Sequence, residues 1–249
     1  MEVDWPLPSD PFSDAYRCAV LEMYDWLRGG PYSLANELTP FDHSAAVVRP
    51  FPFFTGSPVT AGNHLAAIGH LIRTAGAGES SQILELGAGW GNVALFLAQL
   101  GCQVTVLDIS EEFVKLIDDR AACLGVQIET RIGDFHSVSD LDGTYDVVLF
   151  FESFHHCLEH GRLVQELDRI VRPGGRIVFA AEPVARRFWC PWGLRLDGES
   201  VWAIRRNGWL ELGFRRSYFL EMLSRAGWRA NLFATHETPA GQVWVATRS

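Results

Sequence analysis

The segment Glu85-Leu-Gly-Ala-Gly-Trp-Gly91 places three glycines at alternate positions behind one acidic residue. Glycine at Gly87, Gly89 and Gly91 lets the backbone turn sharply and approach a ligand closely. The dinucleotide-binding pattern G-x-G-x-x-G fails by one position, because Asn92 stands where its last glycine would be. A carboxylate at Glu85 would repel a pyrophosphate but could hold an ammonium group. The loop is therefore predicted to bind a cofactor that carries an amino-acid group.

Two further acids follow at distances that suit the rest of such a cofactor. Asp108 comes 21 residues after Gly87, at the end of the next predicted strand. A carboxylate at that place can accept both hydroxyls of a ribose. Asp134 is placed to accept from an adenine amine, and Phe135 to pack on the purine face. Together these residues predict a site for adenosine joined to a cationic amino acid. The predicted cofactor-binding set is completed by Ala88, Ile109 and Gly133.

A third group, Glu152-Ser-Phe-His155-His156, follows the fourth predicted strand. Because an imidazole can take a hydroxyl proton at neutral pH, His155 and His156 are candidate general bases. Glu152 is a candidate for orienting the acceptor or the cofactor, and Glu182, after the fifth strand, for reaching the same pocket. The alternative is that a histidine here only caps the next helix. His156 and His160 have a spacing known from metal ligands on helices, but no third ligand is evident, so no metal is predicted.

The elements that must position these residues alternate between short apolar strands and amphipathic helices. Ser110 suits the N-cap of one such helix, and Gly125 ends it. Alternation of this kind predicts a parallel sheet with helices on both faces, which binds ligands at the carboxyl ends of its strands. The predicted strands are 82–86, 103–107, 126–132, 145–151, 176–180, 228–235 and 242–247, the last two antiparallel. The predicted helices are 14–27, 65–72, 92–100, 111–124, 158–171 and 218–225.

Four elements in this order resemble the class I S-adenosylmethionine (SAM)-dependent methyltransferases. They are the E-x-G-x-G-x-G loop, the acid after the second strand, Gly133-Asp-Phe after the third, and Arg169-Ile-Val-Arg-Pro-Gly-Gly-Arg176 before the fifth. The resemblance covers about residues 83–182. It implies the strand order 3-2-1-4-5-7-6, with SAM bound across strands one to four. It also implies cofactor contacts by Glu85, Gly87, Gly89, Gly91, Asp108 and Asp134.

The regions on either side differ in composition from this central part. Residues 1–64, the predicted N-terminal arm, hold most of the prolines, and residues 65–249 form the predicted methyltransferase domain. Residues 183–216 carry four tryptophans and seven arginines against three acids and are predicted to be a lid insertion. Indole faces stack on sugars, and guanidinium groups bind phosphate or carboxylate. The lid therefore favours a sugar, a glycan or a phosphorylated small molecule. The alternative is an insert whose tryptophans pack its own small core.

The composition limits the partners that the chain can take. Its 249 residues carry a net charge of −9, which disfavours nucleic acid because phosphate contacts supply most of that affinity. No apolar run reaches the roughly 18 residues of a membrane span. No secretory signal is visible, so we expect a soluble, cytoplasmic protein. The aromatic residues of the arm suit either a homodimer contact or plain core.

The sequence thus predicts an α/β fold with a doubly wound, mostly parallel seven-stranded sheet of the Rossmann-like methyltransferase type. The predicted activity is SAM-dependent methyl transfer to a small-molecule hydroxyl, with a sugar or glycan as the acceptor. Two rivals stay open. One is a nicotinamide-dependent oxidoreductase, against which the incomplete glycine pattern and Glu85 count. The other is a SAM-binding partner protein that lacks catalytic activity.

Overall fold

The computed structural model describes residues 5–249. Its α-helices are α1 (Asp14–Arg28), α2 (His43–Val48), α3 (Pro58–Ala75), α4 (Asn92–Gln99), α5 (Glu111–Leu124), α6 (His160–Ile170), α7 (Gly198–Arg206) and α8 (Arg216–Arg225). Its strands are β1 (Gln82–Leu86), β2 (Gln103–Asp108), β3 (Ile128–Ile132), β4 (Tyr145–Phe151), β5 (Val171–Ala180), β6 (Val184–Ala185), β7 (Trp192–Leu194), β8 (Leu212–Arg215), β9 (Trp228–Ala234) and β10 (Gln242–Arg248). These elements divide into two compact units.

The larger unit comprises Pro40–Phe154, Gly161–Glu182 and Leu223–Ser249. Its seven strands have the order β3-β2-β1-β4-β5-β10-β9. The five from β3 to β5 are parallel, and β10 runs antiparallel to both of its neighbours. Since β9 and β10 are the sixth and seventh predicted strands, the expected order 3-2-1-4-5-7-6 is confirmed. The carboxyl ends of β1, β2, β3 and β4 therefore lie at one edge of the sheet.

Helices α3, α4 and α5 pack against one face of this sheet. Leu71 of α3, Ala94 of α4 and Ile117 of α5 share one buried cluster with Leu149 and Val178 of the sheet. In α5 the Ser110 side chain caps the first turn, and Gly125 adopts a left-handed backbone at the other end, as predicted. Leu124, the last residue of α5, is exposed.

The Pro173-Gly174-Gly175 turn lies within a strand rather than before one. The pairing of β4 with β5 runs from Tyr145 opposite Val171 to Val147 opposite Arg176, so the intervening residues bulge out of the ladder. Gly174 has a φ of +80°, which favours glycine. The predicted strand 176–180 is thus the regular part of β5. Helix α3 begins at Pro58 instead of residue 65, because Ser57 caps its first turn.

The smaller unit comprises Met1–Thr39, described from Trp5, together with His155–His160 and Pro183–Met222. It holds α1, α7 and a three-stranded sheet of order β6-β8-β7. The Tyr16 hydroxyl donates to the Trp192 carbonyl (2.9 Å), and the Trp192 indole N–H donates to the Pro11 carbonyl (2.7 Å). Trp192 is buried in this core, whereas 61% of Trp202 is exposed.

The region predicted to be a lid insertion contains β6, β7, α7 and β8. Its strands are two to four residues long, too short for a period-2 pattern to be visible in the sequence. The boundary at residues 64 and 65 and the lid role of residues 183–216 stay predictions. Among the described residues, no helix combines the length and the apolar character that crossing a membrane requires.

Candidate functional site

The loop between β1 and α4 requires glycine for two different reasons. Gly87, Gly89 and Gly91 have φ angles of +69°, +50° and +71°, a region that other residues adopt only with strain. A Cβ on Gly87 would lie 2.9 Å from Ser153 Cβ, and one on Gly91 would lie 2.5 Å from Ile117 Cγ1. No atom of residues 5–249 lies within 4 Å of the corresponding point at Gly89. Packing therefore requires glycine at positions 87 and 91. At Gly89 the backbone instead borders open space.

Asp108 ties the loop to the end of β2. Its Oδ2 accepts from the Gly89 N–H (2.9 Å) and its Oδ1 from the Ser110 N–H (2.9 Å). Burial raises the pKa of Asp108, and the two backbone donors partly oppose that rise. Each carboxylate oxygen keeps a second lone pair, so the predicted ribose contact stays a prediction. The sequence did not indicate that Asp108 also positions Gly89.

The carboxyl group of Glu85 is buried, and one of its oxygens makes no hydrogen bond within the described residues. Its side chain is 2% exposed, and its Oε2 has no hydrogen-bond partner within residues 5–249. Burial raises the pKa of Glu85 to about 8, against the lowering effect of the Ala94 N–H, and the Asp108 charge adds to the rise. A buried acceptor left unpaired is costly, and an ammonium group beside it would both pair and ionise it. The residues present therefore fit the amino-acid end of the predicted cofactor.

The Gly133-Asp134-Phe135 segment has a local structural role in addition to its predicted one. Asp134 Oδ1 accepts from the N–H groups of His136 (2.9 Å) and Ser137 (3.0 Å), which caps a short 3-10 helix over Phe135–Asp140. A Cβ on Gly133 would lie 2.6 Å from Ser137 Oγ. The structure brings Phe135 to the glycine loop, since a Cβ on Gly87 would meet its ring at 3.2 Å. Ala88 and Ile109 are half-buried beside these residues.

The turn after β4 is fixed to the end of β1. Ser153 Oγ donates to the Leu86 carbonyl (2.7 Å), and Glu182 Oε1 accepts from the Ser153 N–H (2.9 Å) and the Phe154 N–H (2.9 Å). Glu182, considered in the sequence as a pocket residue, therefore orders this turn. Glu152 is exposed and has a φ of +52° without being glycine. Such strain persists only where the surroundings impose it and is common at functional sites.

In the smaller unit the two histidines that follow this turn each face a carboxylate. His155 Nε2 lies 3.8 Å from Glu211 Oε2, and His156 Nδ1 lies 3.2 Å from Glu37 Oε2. The two imidazole rings are adjacent, with centroids 4.3 Å apart. The Leu210 N–H donates to Glu37 Oε1 (2.8 Å). Neither carboxylate was found from the sequence, because both lie far from the histidines along the chain.

His160 belongs to the core rather than to this cluster. Its Nδ1 lies 3.1 Å from the Cys157 carbonyl and its Nε2 2.8 Å from the Tyr218 hydroxyl. Burial lowers the pKa of His160 to about 4, so it stays neutral. Both ring nitrogens of His160 thus face protein groups in the core, and the spacing of His156 and His160 along the chain does not bring His160 into the cluster. Within the described residues, the group that could hold a metal is His155, His156 and Glu211, whose ligand atoms lie within 4.8 Å of one another.

An open cavity of about 530 Å³ lies in the smaller unit. Two tryptophans, Trp202 and Trp209, line it together with Arg195 and the acids Glu199 and Glu211. Arg195 donates to Glu211 Oε2 (3.2 Å) and to Asp197 Oδ2 (3.2 Å), so its charge is already paired. The cavity therefore offers aromatic faces and carboxylate acceptors beside the histidine cluster.

Comparison with known proteins identifies the central part of the chain. Residues 84–179 match the family model described as "Methyltransferase domain". A glycine/sarcosine/dimethylglycine N-methyltransferase from Actinopolyspora halophila is 34% identical over 108 residues, which cover 42% of this chain and 19% of that protein. A ubiquinone biosynthesis O-methyltransferase from Xanthomonas euvesicatoria pv. vesicatoria is 30% identical over 101 residues, which cover 39% of this chain and 41% of that protein.

A solved structure shares the fold over most of the chain. Magnesium protoporphyrin IX methyltransferase from Synechocystis PCC 6803, solved with bound SAM, has a TM-score of 0.56 and 17% identity, covering 92% of this chain and 97% of that one. The curated relatives match over a smaller part of this chain, about two fifths of its length. In turn, the chain spans about a fifth to two fifths of the length of those relatives. The match to the family model includes the glycine loop and the acids after β2 and β3.

Proposed function

We infer that this chain, whose matched domain and sheet order support membership of the class I SAM-dependent methyltransferases, binds SAM and transfers its methyl group to a hydroxyl group of a small molecule. The observation that carries this proposal is the buried, unpaired Oε2 of Glu85 behind the glycine loop. A nicotinamide dinucleotide would place a pyrophosphate near that carboxylate, which disfavours the oxidoreductase alternative.

The larger unit would hold the cofactor through residues at the ends of three successive strands, β1, β2 and β3. We propose that Glu85 pairs with its ammonium group, Asp108 with its ribose, and Asp134 and Phe135 with its adenine. The backbone at Gly89 would approach it most closely. The remaining proposed contacts are Gly87, Ala88, Gly91, Ile109 and Gly133. When bound, SAM supplies a methyl group on a positively charged sulfur, and the sulfur keeps the bonding pair when the methyl group leaves.

The histidine pair would handle the acceptor proton. As the acceptor oxygen forms its bond to the methyl carbon, its proton passes to an imidazole nitrogen of His155 or His156. Glu211 and Glu37 would orient the two rings and stabilise the imidazolium that forms, since each carboxylate lies within 4 Å of a ring nitrogen. Glu152 is proposed to orient the acceptor or the cofactor from the turn after β4.

The cavity in the smaller unit supports a neutral, hydroxyl-rich acceptor such as a sugar or glycan. Trp202 presents an exposed indole on which a sugar ring could stack, and Glu199 could accept from its hydroxyl groups. Because Arg195 is already paired with two carboxylates, we propose an acceptor without a phosphate group. The relatives named above act on an amine and in ubiquinone biosynthesis, so the acceptor panel includes amines and phenols beside sugars.

Calorimetry with SAM, followed by incubation with labelled SAM and the acceptor panel, tests this proposal. We expect saturable SAM binding at one site and label transfer to an acceptor that carries a hydroxyl group. Absence of SAM binding, or binding of NADH in its place, would refute the assignment of SAM as the cofactor. Binding without transfer to any member of the panel would favour the rival of a SAM-binding partner that lacks catalysis.

The affinity for SAM is expected to depend on pH through Glu85. With its pKa near 8, the carboxyl group of the free protein is mostly protonated at neutral pH and must lose that proton to pair with an ammonium group. Affinity should therefore rise with pH by up to about tenfold per unit between about pH 6 and 8. Calorimetry in buffers of different ionisation enthalpy should show proton release at pH 7.

The raised pKa of Glu85 also predicts that the free energy of unfolding of the cofactor-free protein falls as pH rises. Because the folded pKa lies above the value of 4.5 for a free carboxyl group, protonation of Glu85 stabilises the fold. That contribution is lost as pH rises from about 4.5 through about 8. The isosteric variant Glu85→Gln should remove both dependences. An affinity that stays constant over this range, with no proton release, would exclude the pairing.

A homodimer and a cytoplasmic location complete the proposal as further expectations. They are measured by light scattering and by fractionation of the producing cell.

A further inference from the structure

We infer that His155, His156 and Glu211 form a binding site for one divalent transition-metal ion of the zinc class. Their ligand atoms lie within 4.8 Å of one another, and they come from two separate stretches of the smaller unit. Two imidazoles and one carboxylate are a donor set that suits zinc and cobalt, whereas magnesium and calcium prefer oxygen ligands alone.

The spacing between His155 and Glu211 is informative. A distance of 3.8 Å between Nε2 and Oε2 is too long for a hydrogen bond, although both side chains are buried, with exposures of 7% and 8%. Two ligands of a tetrahedral zinc ion, each about 2.0–2.2 Å from the metal, lie about 3.3–3.6 Å apart. The observed gap is thus close to the separation that a shared metal ion would impose.

Glu37 adds a second carboxylate beside the histidine pair. Its Oε2 lies 3.2 Å from His156 Nδ1, and its Oε1 is held by the Leu210 N–H. The Leu210 contact fixes the carboxylate in place, and its negative charge close to the ring favours a cation there.

The charges around the cluster favour a cation. Glu37 and Glu211 each place a carboxylate within 4 Å of one of the two histidines, and the guanidinium of Arg195 pairs with Glu211. Arg195 donates to Glu211 Oε2, so a metal ion would compete with it for that oxygen. Since Arg195 also donates to Asp197, it keeps a carboxylate partner when Glu211 turns towards the metal.

The inferred metal site does not depend on SAM binding, but its expected effect on methyl transfer rests on the proposed function. A metal ion takes up the imidazole lone pairs that would otherwise accept the hydroxyl proton. Metal binding and proton transfer to these rings therefore compete. Zinc is expected to lower the rate of methyl transfer, and a chelator is expected to restore it.

A cobalt titration of the tag-free, full-length protein tests the site without SAM or acceptor. We expect visible absorption bands that saturate at one equivalent of Co²⁺ and disappear when Zn²⁺ is added. Glu211→Gln and His155→Ala should each weaken Co²⁺ binding at least about tenfold. His236→Ala, which removes an exposed histidine outside the cluster, should leave binding unchanged.

Two results would overturn the site. The first is the lack of saturable bands in the unaltered protein. The second is equal Co²⁺ affinity in the unaltered protein and in Glu211→Gln and His155→Ala, provided that both variants keep their melting temperature and SAM affinity. Glu211→Gln preserves the shape of the buried side chain, so the test stands even if His155→Ala fails to fold. SAM binding measured on the same samples separates failure of this site from failure of the proposed function.

Discussion

Gly89→Val is expected to lower the affinity for SAM at least about 100-fold and to leave the protein folded. A Cβ at Gly89 meets no atom of residues 5–249 within 4 Å, so the main stability cost is the strain of a left-handed backbone, about 1–3 kcal/mol. The same side chain would fill the space in which we place the cofactor. Calorimetry gives the affinity, and urea unfolding gives the stability.

Two matched variants separate strain from loss of the site. Gly125→Val has a similar φ of +67° and equally open surroundings at the end of α5, so it should lose the same stability and keep SAM affinity. Gly91→Val would instead overlap Ile117 and should lose more stability than either. If Gly89→Val binds SAM as Gly125→Val does, the cofactor does not lie against Gly89.

His155→Ala is expected to lower the turnover number by about 10²–10⁴-fold while the affinity for SAM stays within about twofold. Loss of the imidazole removes the proposed proton acceptor, and Glu211 keeps Arg195 as a partner, so no buried charge is left unpaired. His156→Ala tests the second ring in the same way. Turnover is measured with labelled SAM at saturating acceptor concentration.

Glu211→Gln provides a finer test of the same cluster. A positioning role predicts a lower turnover number with an unchanged KM for the acceptor, and partial recovery in Glu211→Asp. His236→Ala serves as the control histidine and should be fully active. If His155→Ala and His156→Ala both keep full turnover, the acceptor needs no histidine and the base assignment is lost.

The sheet could be predicted because its signals are local. Each functional acid stands at the end of an apolar strand: Glu85 in β1, Asp108 in β2 and Asp134 after β3. A strand, a glycine loop and an N-capped helix follow one another within about 20 residues, so each unit specifies its own geometry. The strand order then follows from the family that these units resemble.

The smaller unit could not be predicted because its contacts are distant in sequence. Glu37 meets His156, and Glu211 meets His155, across separations that no periodic pattern records. Its strands are too short to show alternation. The separate roles of the loop glycines were also hidden, since Gly87, Gly89 and Gly91 look alike until the atoms around them are known.

The smaller unit is formed by three separate stretches of the chain. This has a consequence for folding during synthesis. Helix α1 buries Tyr16 and Tyr24, whose hydroxyls donate to the carbonyls of Trp192 and Gly208. At about 5–20 residues per second, a ribosome needs roughly 10–35 s to reach those partners after it has made α1. Throughout that interval the apolar side of the nascent helix lacks the residues that bury it in the folded protein. The growing chain would therefore depend on a holding chaperone, or on temporary burial elsewhere, until its last third emerges.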